Sequence, residues 1–418
     1  MLIEIHMIQN HSPSNLNRDD LGAPKTCMFG GVQRLRISSQ CLKRSIRRSA
    51  FFQECLERDG GVRTRNLIGE LLRRTAERNK SKYGDDEKGK EKSEKYKGKV
   101  KSAFEACGLE FENELSNVTL FLKNSTLNEL ALAAESNESG LRERFTEILK
   151  AREERKVYVP DIALSGRMIE LDPKKPFGAL NLNVDAALAS AHAISTHEVT
   201  TEIDYFTLTD DDPEVAGAAH VDEAQFGSAC FYKYFSVYWE QLLLNLGKEN
   251  AGLAAATIGK FILAASRTVP SGKKNCFAAF NEPAGVLVEI KDSNTPTSYA
   301  NAFAEPARRI GRPEDDTVDE QSLVGRSIAQ FGDHVFNVRR TMSNLSSKLI
   351  WYTATPWKFP LRGWERHVDG RKASPVVIGK NPVDTLEDLV KQVVEKMNVG
   401  LTWSDVMQVG LKKVTGDK

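Results

Sequence analysis

One segment of the chain carries many positive side chains and no negative ones. Between residues 21 and 53 the sequence has seven Lys or Arg and neither Asp nor Glu: Lys25, Arg34, Arg36, Lys43, Arg44, Arg47 and Arg48. The whole chain is almost neutral, with 58 basic and 57 acidic residues and a net charge of +1. Because the positive charge is local, it predicts a patch that binds an anion and not a generally basic coat.

The second half of this segment is expected to be a helix from about Gln40 to Leu56. Ser38 and Ser39 precede it as good N-caps, so free backbone N–H groups and the positive end of the helix dipole lie beside the basic side chains. Helical spacing separates two faces: Gln40, Lys43, Arg44 and Arg47 on one, Leu42, Ile46 and Ala50 on the other.

Arg34 and Arg36, on the strand before this helix, are expected on the same side as its basic face. A row of spaced cations fits a polyphosphate better than it fits a single carboxylate. The segment therefore predicts binding to a nucleic-acid backbone. The alternative is a basic face that only meets solvent.

Three further groups of residues could contact nucleic acid. The loop after the first strand suits phosphate or ribose contacts or, alternatively, ordinary turn capping; it holds Asn15, Asn17, Arg18, Asp19 and Lys25. Several aromatic residues could stack on bases, although aromatic residues in strands more often belong to a core: Tyr205, Phe206, Phe231, Tyr232 and Tyr234. Met168 is by default a core methionine.

Histidines and carboxylates between residues 192 and 220 raise the alternative of a metal-dependent nuclease. His192, His197 and His220 lie among Glu198, Asp204, Asp210, Asp211, Asp212 and Glu214. The spacing is poor, because His192 and His197 are five residues apart and would not share a helix face. The six cysteines never form C-x-x-C, and no glycine-rich nucleotide loop occurs, so no metal and no other cofactor is predicted.

The hydrophobic pattern predicts the elements that position these residues. Residues 2–9 alternate as a half-buried strand, VYVPDIALSGRM suggests a strand and turn, and NVDAALASAHAIS a short helix. Two aromatic runs flanking DDPEVAGAAHVDEAQ predict a long hairpin, and GLAAATIGKFILAAS predicts a helix. Thr385 and Asp388 form a capping box before an apolar stripe that is typical of a core-facing helix.

Residues 61–155 are predicted to be mostly helical, with an interruption at 79–101. That stretch has nine Lys and five acidic residues but only Tyr83, Tyr96 and Val100 as bulky apolar groups. Such a composition favours a mobile surface loop, and deletion of residues 82–98 is expected to leave the fold intact.

The length of 418 residues predicts two or more structural units. The N-terminus lacks the pattern of a signal peptide, and no apolar run reaches 18 residues. We therefore expect a cytoplasmic protein with reduced thiols and no membrane contact.

Several long motifs resemble the CasC family, the RNA-binding backbone subunits of type I-E CRISPR Cascade complexes, which serve antiviral defence. They are SPSNLNRDDLGAPK, FGGVQRLRISSQCLKRSIRRS, ALSGRM, AHAISTHEVTTEIDYFTLTDD and FGSACFYKY. The resemblance covers roughly residues 1–60 and 157–310, with the motifs in a consistent order.

This resemblance implies an α+β fold shaped like a hand. A ferredoxin-like (RRM-type) palm carries a helical finger insertion and a protruding β-hairpin thumb. The palm has three parts, 1–60, 157–197 and 229–350. The finger is 61–156 with its lysine-rich loop 79–101, the thumb is 198–228, and residues 351–418 form a C-terminal region of unassigned role.

The resemblance also implies a function. Copies stack head-to-tail along the spacer part of the guide RNA (crRNA), and each thumb displaces a nucleotide, so that the bases between pair with the target DNA strand. Other Cascade subunits complete the complex. The matching positions for the guide backbone are Arg18, Lys25, Ser38, Ser39, Gln40, Lys43, Arg44 and Arg47. Met168 would wedge against bases, and Tyr205 and Phe206 would lie on the thumb.

Two other functions remain open. A metal-dependent RNA nuclease would use His197, Glu198 and Asp204. A helix-turn-helix repressor would use residues 40–58 as its recognition helix, but no convincing partner helix lies just upstream. The non-catalytic RNA scaffold is the leading hypothesis.

Overall fold

The structure is a computed structural model. It describes residues 1–53, 59–80, 83, 86–136, 140–153, 158–209, 218–308, 322–341, 347–353, 383–397, 400 and 404. The chain divides into two compact units: the first is Met1–Phe52, Ala189–Tyr238 and Ile258–Asp405, and the second is Gln53–Leu188, Trp239–Thr257 and Val406–Lys418.

The elements follow one another along the chain as a mixture of strands and helices. The strands are β1 (Leu2–Ser14), β2 (Thr26–Phe29), β3 (Val32–Ile37), β4 (Gly61–Thr64), β5 (Phe111–Glu112), β6 (Leu115–Ser116), β7 (Leu120–Lys123), β8 (Leu188–Ser190), β9 (Ala193–Ser195), β10 (Glu202–Thr209), β11 (Ala218–Tyr238), β12 (Gly285–Lys291) and β13 (Ser347–Thr353). The helices are α1 (Ser39–Arg47), α2 (Ala50–Gln53), α3 (Leu67–Arg78), α4 (Glu87–Cys107), α5 (Asn124–Glu135), α6 (Leu141–Glu153), α7 (Pro160–Ser165), α8 (Trp239–Leu246), α9 (Ala251–Arg267), α10 (Lys274–Phe277), α11 (Leu323–Thr341) and α12 (Leu386–Lys396).

A sheet organises the first unit. Over the described residues its strand order is β13-β12-β1-β11-β9-β3-β2, and β8 and β10 also pair with β11. The central strand β1 is antiparallel to both β11 and β12. Since β1 has a neighbour on each edge and cover on each face, this strand is buried almost throughout. The strand is confirmed, but its predicted half-burial is wrong.

Burial of β1 includes its charged residues. Glu4 pairs with Lys291, and on β12 Glu289 pairs with Arg339; both carboxylates are fully buried. Burial, and secondarily the charge of Lys291, lowers the pKa of His6 between them to about 3, so its imidazole is neutral. The polar face of β1 therefore meets a charge-balanced internal network and not solvent.

The second unit has a helical core, and its helix α4 corrects the prediction of a loop at 79–101. Glu87–Cys107 is one helix, which begins at the Asp86 N-cap and ends at Gly108. Tyr96 and Val100 lie at helical spacing and are buried with Phe104 in the core formed with α3, α5 and α6. The apolar stripe is sparse, but it is sufficient because neighbouring helices cover it.

The lysines of α4 flank a stripe of glutamates on the solvent side. Lys97 lies 2.9 Å from Glu94, and Lys101 lies 3.8 Å from Glu105. This is the pattern of a solvated helix with charge pairs at i,i+3 and i,i+4. The deletion of 82–98 would remove part of a core and is no longer expected to be tolerated.

Two other local predictions are also wrong. VYVPDIALSGRM contains helix α7, with Pro160 at its first position, where the fixed proline φ suits a helix start. NVDAALASAHAIS contains the short strands β8 and β9, since pairing with β11 decides its conformation over its alanine content. The predicted helix of GLAAATIGKFILAAS is confirmed as α9, and Thr385 caps α12 by accepting a hydrogen bond from Asp388 N (3.0 Å).

Candidate nucleic-acid interface

Helix α1 begins where the sequence predicts. Ser38 is its N-cap, and its hydroxyl accepts a hydrogen bond from Cys41 N at 3.2 Å. Asn17 holds this cap in place, because its Oδ1 accepts from Ser38 N at 2.8 Å. Ser38 and Ser39 are both buried. The Ser38 hydroxyl is therefore engaged in the cap, and a ligand would meet the backbone N–H groups nearby.

Helix α1 ends earlier than predicted, at Arg47 and not near Leu56. Ser49 explains the break, because its hydroxyl donates to Ile46 O (2.8 Å) and accepts from Phe52 N (3.2 Å). It therefore closes α1 and caps the short helix α2. The predicted residues 54–56 lie outside the described part of the chain.

The cationic face of α1 is confirmed, and its apolar face is confirmed except for Ala50, which is exposed and belongs to α2. Leu42 and Ile46 are buried, whereas Gln40, Arg44 and Arg48 are exposed, and Lys43 and Arg47 are half-buried. Among the described residues, no carboxylate lies within ion-pair distance of Lys43, Arg44 or Arg48. These cations are therefore available to bind an external anion.

Arg44 and Arg48 line one wall of a groove of about 560 Å³, and Arg267 and Lys274 line the opposite wall. A second hollow of about 460 Å³ continues from it past Arg44 to Arg18. Ser45 and Ser271 line both hollows. We call the two together the basic groove; its second hollow is also lined by the carboxylates of Asp19 and Asp20.

Sequence reasoning missed the wall formed by residues 267–280. Its signal was present in SRTVPSGKK, where a helix ends in Arg267 and is followed by Ser271, Lys273 and Lys274. Arg267 is already neutralised, since it lies 2.8 Å from Glu387 and 3.5 Å from Glu282. The unneutralised charge on this wall therefore comes from Lys274.

Arg34 is not part of the surface, which corrects the expectation that it lies beside the basic face. It is fully buried and donates to three backbone oxygens: Phe29 O (3.1 Å), Ser195 O (3.1 Å) and Phe303 O (2.8 Å). Arg36, two residues further on, lies on the same face of β3, but it is only half-buried and lies 2.8 Å from His192 Nδ1.

The remaining predicted backbone contacts lie around the same end of α1. Arg18 is exposed and lines the groove, whereas Lys25 is half-buried and lies outside it. The backbone N–H of Lys25 donates to Asn17 O at 2.8 Å, so the loop and the cap of α1 are joined. Asp19 Oδ1 accepts hydrogen bonds from Leu21 N and Ala23 N, both at 2.9 Å. Asp19 therefore caps a turn, which is the alternative that the sequence offered to phosphate or ribose contacts.

Strands β10 and β11 form the predicted hairpin, and their register separates its two aromatic residues. Tyr205 pairs with Glu223 and Phe206 with Asp222. Consecutive strand residues point to opposite faces, so Tyr205 and Phe206 cannot stack on the same base. The Phe206 face lies toward Lys273, whose Nζ is 5.9 Å from the ring centroid. Phe231, Tyr232 and Tyr234 are buried, so their core alternative is confirmed.

Met168 is 78% exposed, so its default interpretation as a core methionine is wrong. Its two neighbours are fixed. Arg167 is buried, pairs with Glu153 and donates to Glu153 O at 2.9 Å, and Ile169 N donates to Asn183 Oδ1 at 2.7 Å. A large apolar side chain is thus presented to solvent from a rigid backbone in the second unit.

Among the described residues of the nuclease alternative, His197, Glu198 and Asp204 are not arranged as a metal site; Asp210, Asp211, Asp212 and Glu214 lie outside the described part of the chain. His197 Nδ1 donates to Glu198 O (2.8 Å), and its Nε2 accepts from Cys230 N (3.2 Å). Burial is the main cause of the lowered pKa of His197. Both ring nitrogens are therefore used in hydrogen bonds that hold the fold. In the described ranges the only cluster of metal-ligand type is Glu4, His6 and Glu289, which is buried and includes both ion-paired carboxylates.

These features define a class: an α+β protein with a sheet, a β-hairpin, and a cationic helix and groove suited to a polyanionic ligand. The chain belongs to the family of CT1975-like proteins, whose sequence model matches residues 3–356. This match confirms the resemblance to CasC and extends it through residues 61–155.

Solved structures agree with the family. A chain of a CRISPR RNA-guided surveillance complex in a pre-nicking state has 27% identity and a TM-score of 0.68, covering 95% of this chain and 100% of its own length. A chain of another CRISPR RNA-guided surveillance complex, at 24% identity and a TM-score of 0.61 with the same coverage, shares the fold. No curated protein sequence matches the chain. No helix in the described ranges has the length and hydrophobicity to cross a membrane.

Proposed function

We propose that this protein is a non-catalytic backbone subunit of a type I-E Cascade complex, in which it binds the guide RNA. The observation that carries the proposal is the positive charge of Lys43, Arg44 and Arg48 on α1, which has no ion-pair partner among the described residues; Arg44 and Arg48 also line the basic groove. The similarity to chains of RNA-guided surveillance complexes supports RNA as the missing anion and other Cascade subunits as partners. The protein would act in the cytoplasm.

In this proposal the first unit supplies the ferredoxin-like palm and the thumb, and the second supplies the helical finger. The guide backbone lies along α1 and Arg18, with Lys25, Ser38, Ser39, Gln40 and Arg47 near its path. Phosphate contacts carry no sequence information, so guides of any sequence are bound. Successive copies stack head-to-tail, and a heterologous contact repeated in this way builds a filament along the RNA. Bases left free of protein then pair with the target DNA strand.

Direct binding measurements test this function. Labelled single-stranded RNA should bind the protein with strong salt dependence and little sequence preference. Preference for duplex DNA would instead favour the repressor alternative.

Met168 and Phe206 are candidates to displace bases, because both are exposed apolar groups. Truncating either to Ala should cost on the order of 1–3 kcal/mol for each lost stacking contact. Chemical probing of the guide in the assembled complex should then lose its periodic reactivity. Tyr205→Ala is the matched comparison, since it lies on the other face of the hairpin and should leave more of the pattern. A periodic pattern unchanged by M168A and F206A would refute these roles.

The nuclease alternative is tested by incubating the protein and labelled guide RNA with Mg²⁺ or Mn²⁺. We expect no cleavage, and EDTA should not alter the periodic probing pattern. Cleavage that is lost in His197→Ala, in a variant whose fold is retained, would overturn the non-catalytic assignment.

A further inference from the structure

The basic groove contains aromatic surface as well as charge. Phe280 lines it and is 59% exposed, with Lys274 Nζ 5.1 Å from its ring centroid. Phe51, 37% exposed, lines the groove on the α1 side, and the Arg267 guanidinium lies 5.8 Å from its ring centroid. Phosphate alone would need only the cations, whereas rings next to cations suit a ligand that has both a base and a phosphate.

The backbone that carries Phe280 is held in an uncommon conformation. Lys273 and Ala278 bound α10 and have φ values of 42° and 47°. A left-handed conformation costs a residue with a side chain about 1–2 kcal/mol, and such residues concentrate at ligand sites. The two turns bring Lys274 and Phe280 together at the same wall of the groove.

The groove is also large enough for a small ligand. The volume of about 560 Å³ lies within the usual range of ligand sites, roughly 300–1,000 Å³.

We propose that the groove between α1 and residues 267–280 holds one unpaired nucleotide of a single RNA strand, with its base stacked on Phe280 and its phosphate bound by Arg44 and Arg48. This inference rests on the proposed guide binding and adds a base-stacking site to it. Stacking accepts every base, so the site keeps binding independent of sequence. Arg267 also lines the groove, but its charge is already paired with Glu282 and Glu387, so it is not assigned to the phosphate.

The test is a double-mutant cycle between the protein and the RNA. Wild type and Phe280→Ala are each titrated with a single-stranded RNA and with a strand of equal length that lacks all bases. Phe280→Ala should weaken binding of the normal strand about 5- to 100-fold and leave binding of the abasic strand unchanged. Phe280→Trp should restore binding of the normal strand. Leu244→Ala, which removes another exposed apolar side chain, should change neither.

An equal loss of affinity for both strands would show that Phe280 supports only the shape of the groove. No loss of affinity for either strand would show that no base stacks on Phe280. Both outcomes overturn the stacking site but leave guide binding intact, provided that wild type binds both strands. Failure of wild type to bind either strand would instead refute the proposed function. A poly-glutamate chain that binds as tightly as RNA and loses affinity in Phe280→Ala would assign the groove to an acidic protein segment.

Discussion

Replacing Lys43, Arg44 and Arg48 together by alanine is expected to weaken RNA binding on the order of 100-fold or more at low salt. Each side chain presents a charge with no ion-pair partner among the described residues, and charge-assisted hydrogen bonds to phosphate are the strongest contacts available to it. The loss should be similar for RNA of any sequence, because phosphate contacts do not read bases. Fluorescence anisotropy with several unrelated sequences measures it.

The salt dependence gives an independent readout for the same variant. Each phosphate contact contributes about 0.7 to the slope of log affinity against log salt for single strands, so three lost contacts should flatten it by roughly 2. The matched control removes three exposed lysines of α4, Lys88, Lys92 and Lys95, and therefore changes net charge equally. If this control lost as much affinity as the α1 variant, net charge and not the α1 surface would explain binding.

Val100→Asp is expected to destabilise the second unit by about 4 kcal/mol or more. Val100 is fully buried among the helices of that unit, so the substitution places an unpaired charge in an apolar core. The measurement is urea unfolding followed by a probe in the second unit. Gly98→Asp is the matched control on the same helix, since Gly98 is exposed with open space around it, and it should change stability by only about 0.5 kcal/mol.

A tolerated Val100→Asp would restore the earlier expectation that residues 79–101 are a dispensable loop. Equal destabilisation by both substitutions would mean that α4 resists any acidic residue, and burial would not be the cause. The contrast between positions 98 and 100 isolates the contribution of the buried stripe.

Local patterns determined much of the candidate site. The start of α1, its Ser38 cap and its separation into a buried and a cationic face follow from residues within one or two turns of each other, and such short-range rules hold wherever the helix packs. The strand alternation of the hairpin formed by β10 and β11 is also local. The sequence also shows directly that no Asp or Glu lies between residues 21 and 53.

Tertiary structure alone decided which side chains are covered. Arg34 and Arg36 have the same chemistry, yet contacts with Ser195 and Phe303 bury the first. Methionine is typical of a protein core, but Met168 is exposed because hydrogen bonds fix the residues on both sides of it. Tyr96 and Val100 form too sparse a stripe to predict a core until α3, α5 and α6 cover it.

The sequence by itself determined that this protein has a helix with one cationic face and a hairpin that carries aromatic residues. Only the tertiary structure added the opposite wall of the groove, Ser271, Lys274 and Phe280, more than two hundred residues from Arg44 along the chain. The physical reason is the range of the interactions. Caps and helical faces depend on neighbours within a few residues, whereas burial and groove walls depend on which distant segments the fold brings together.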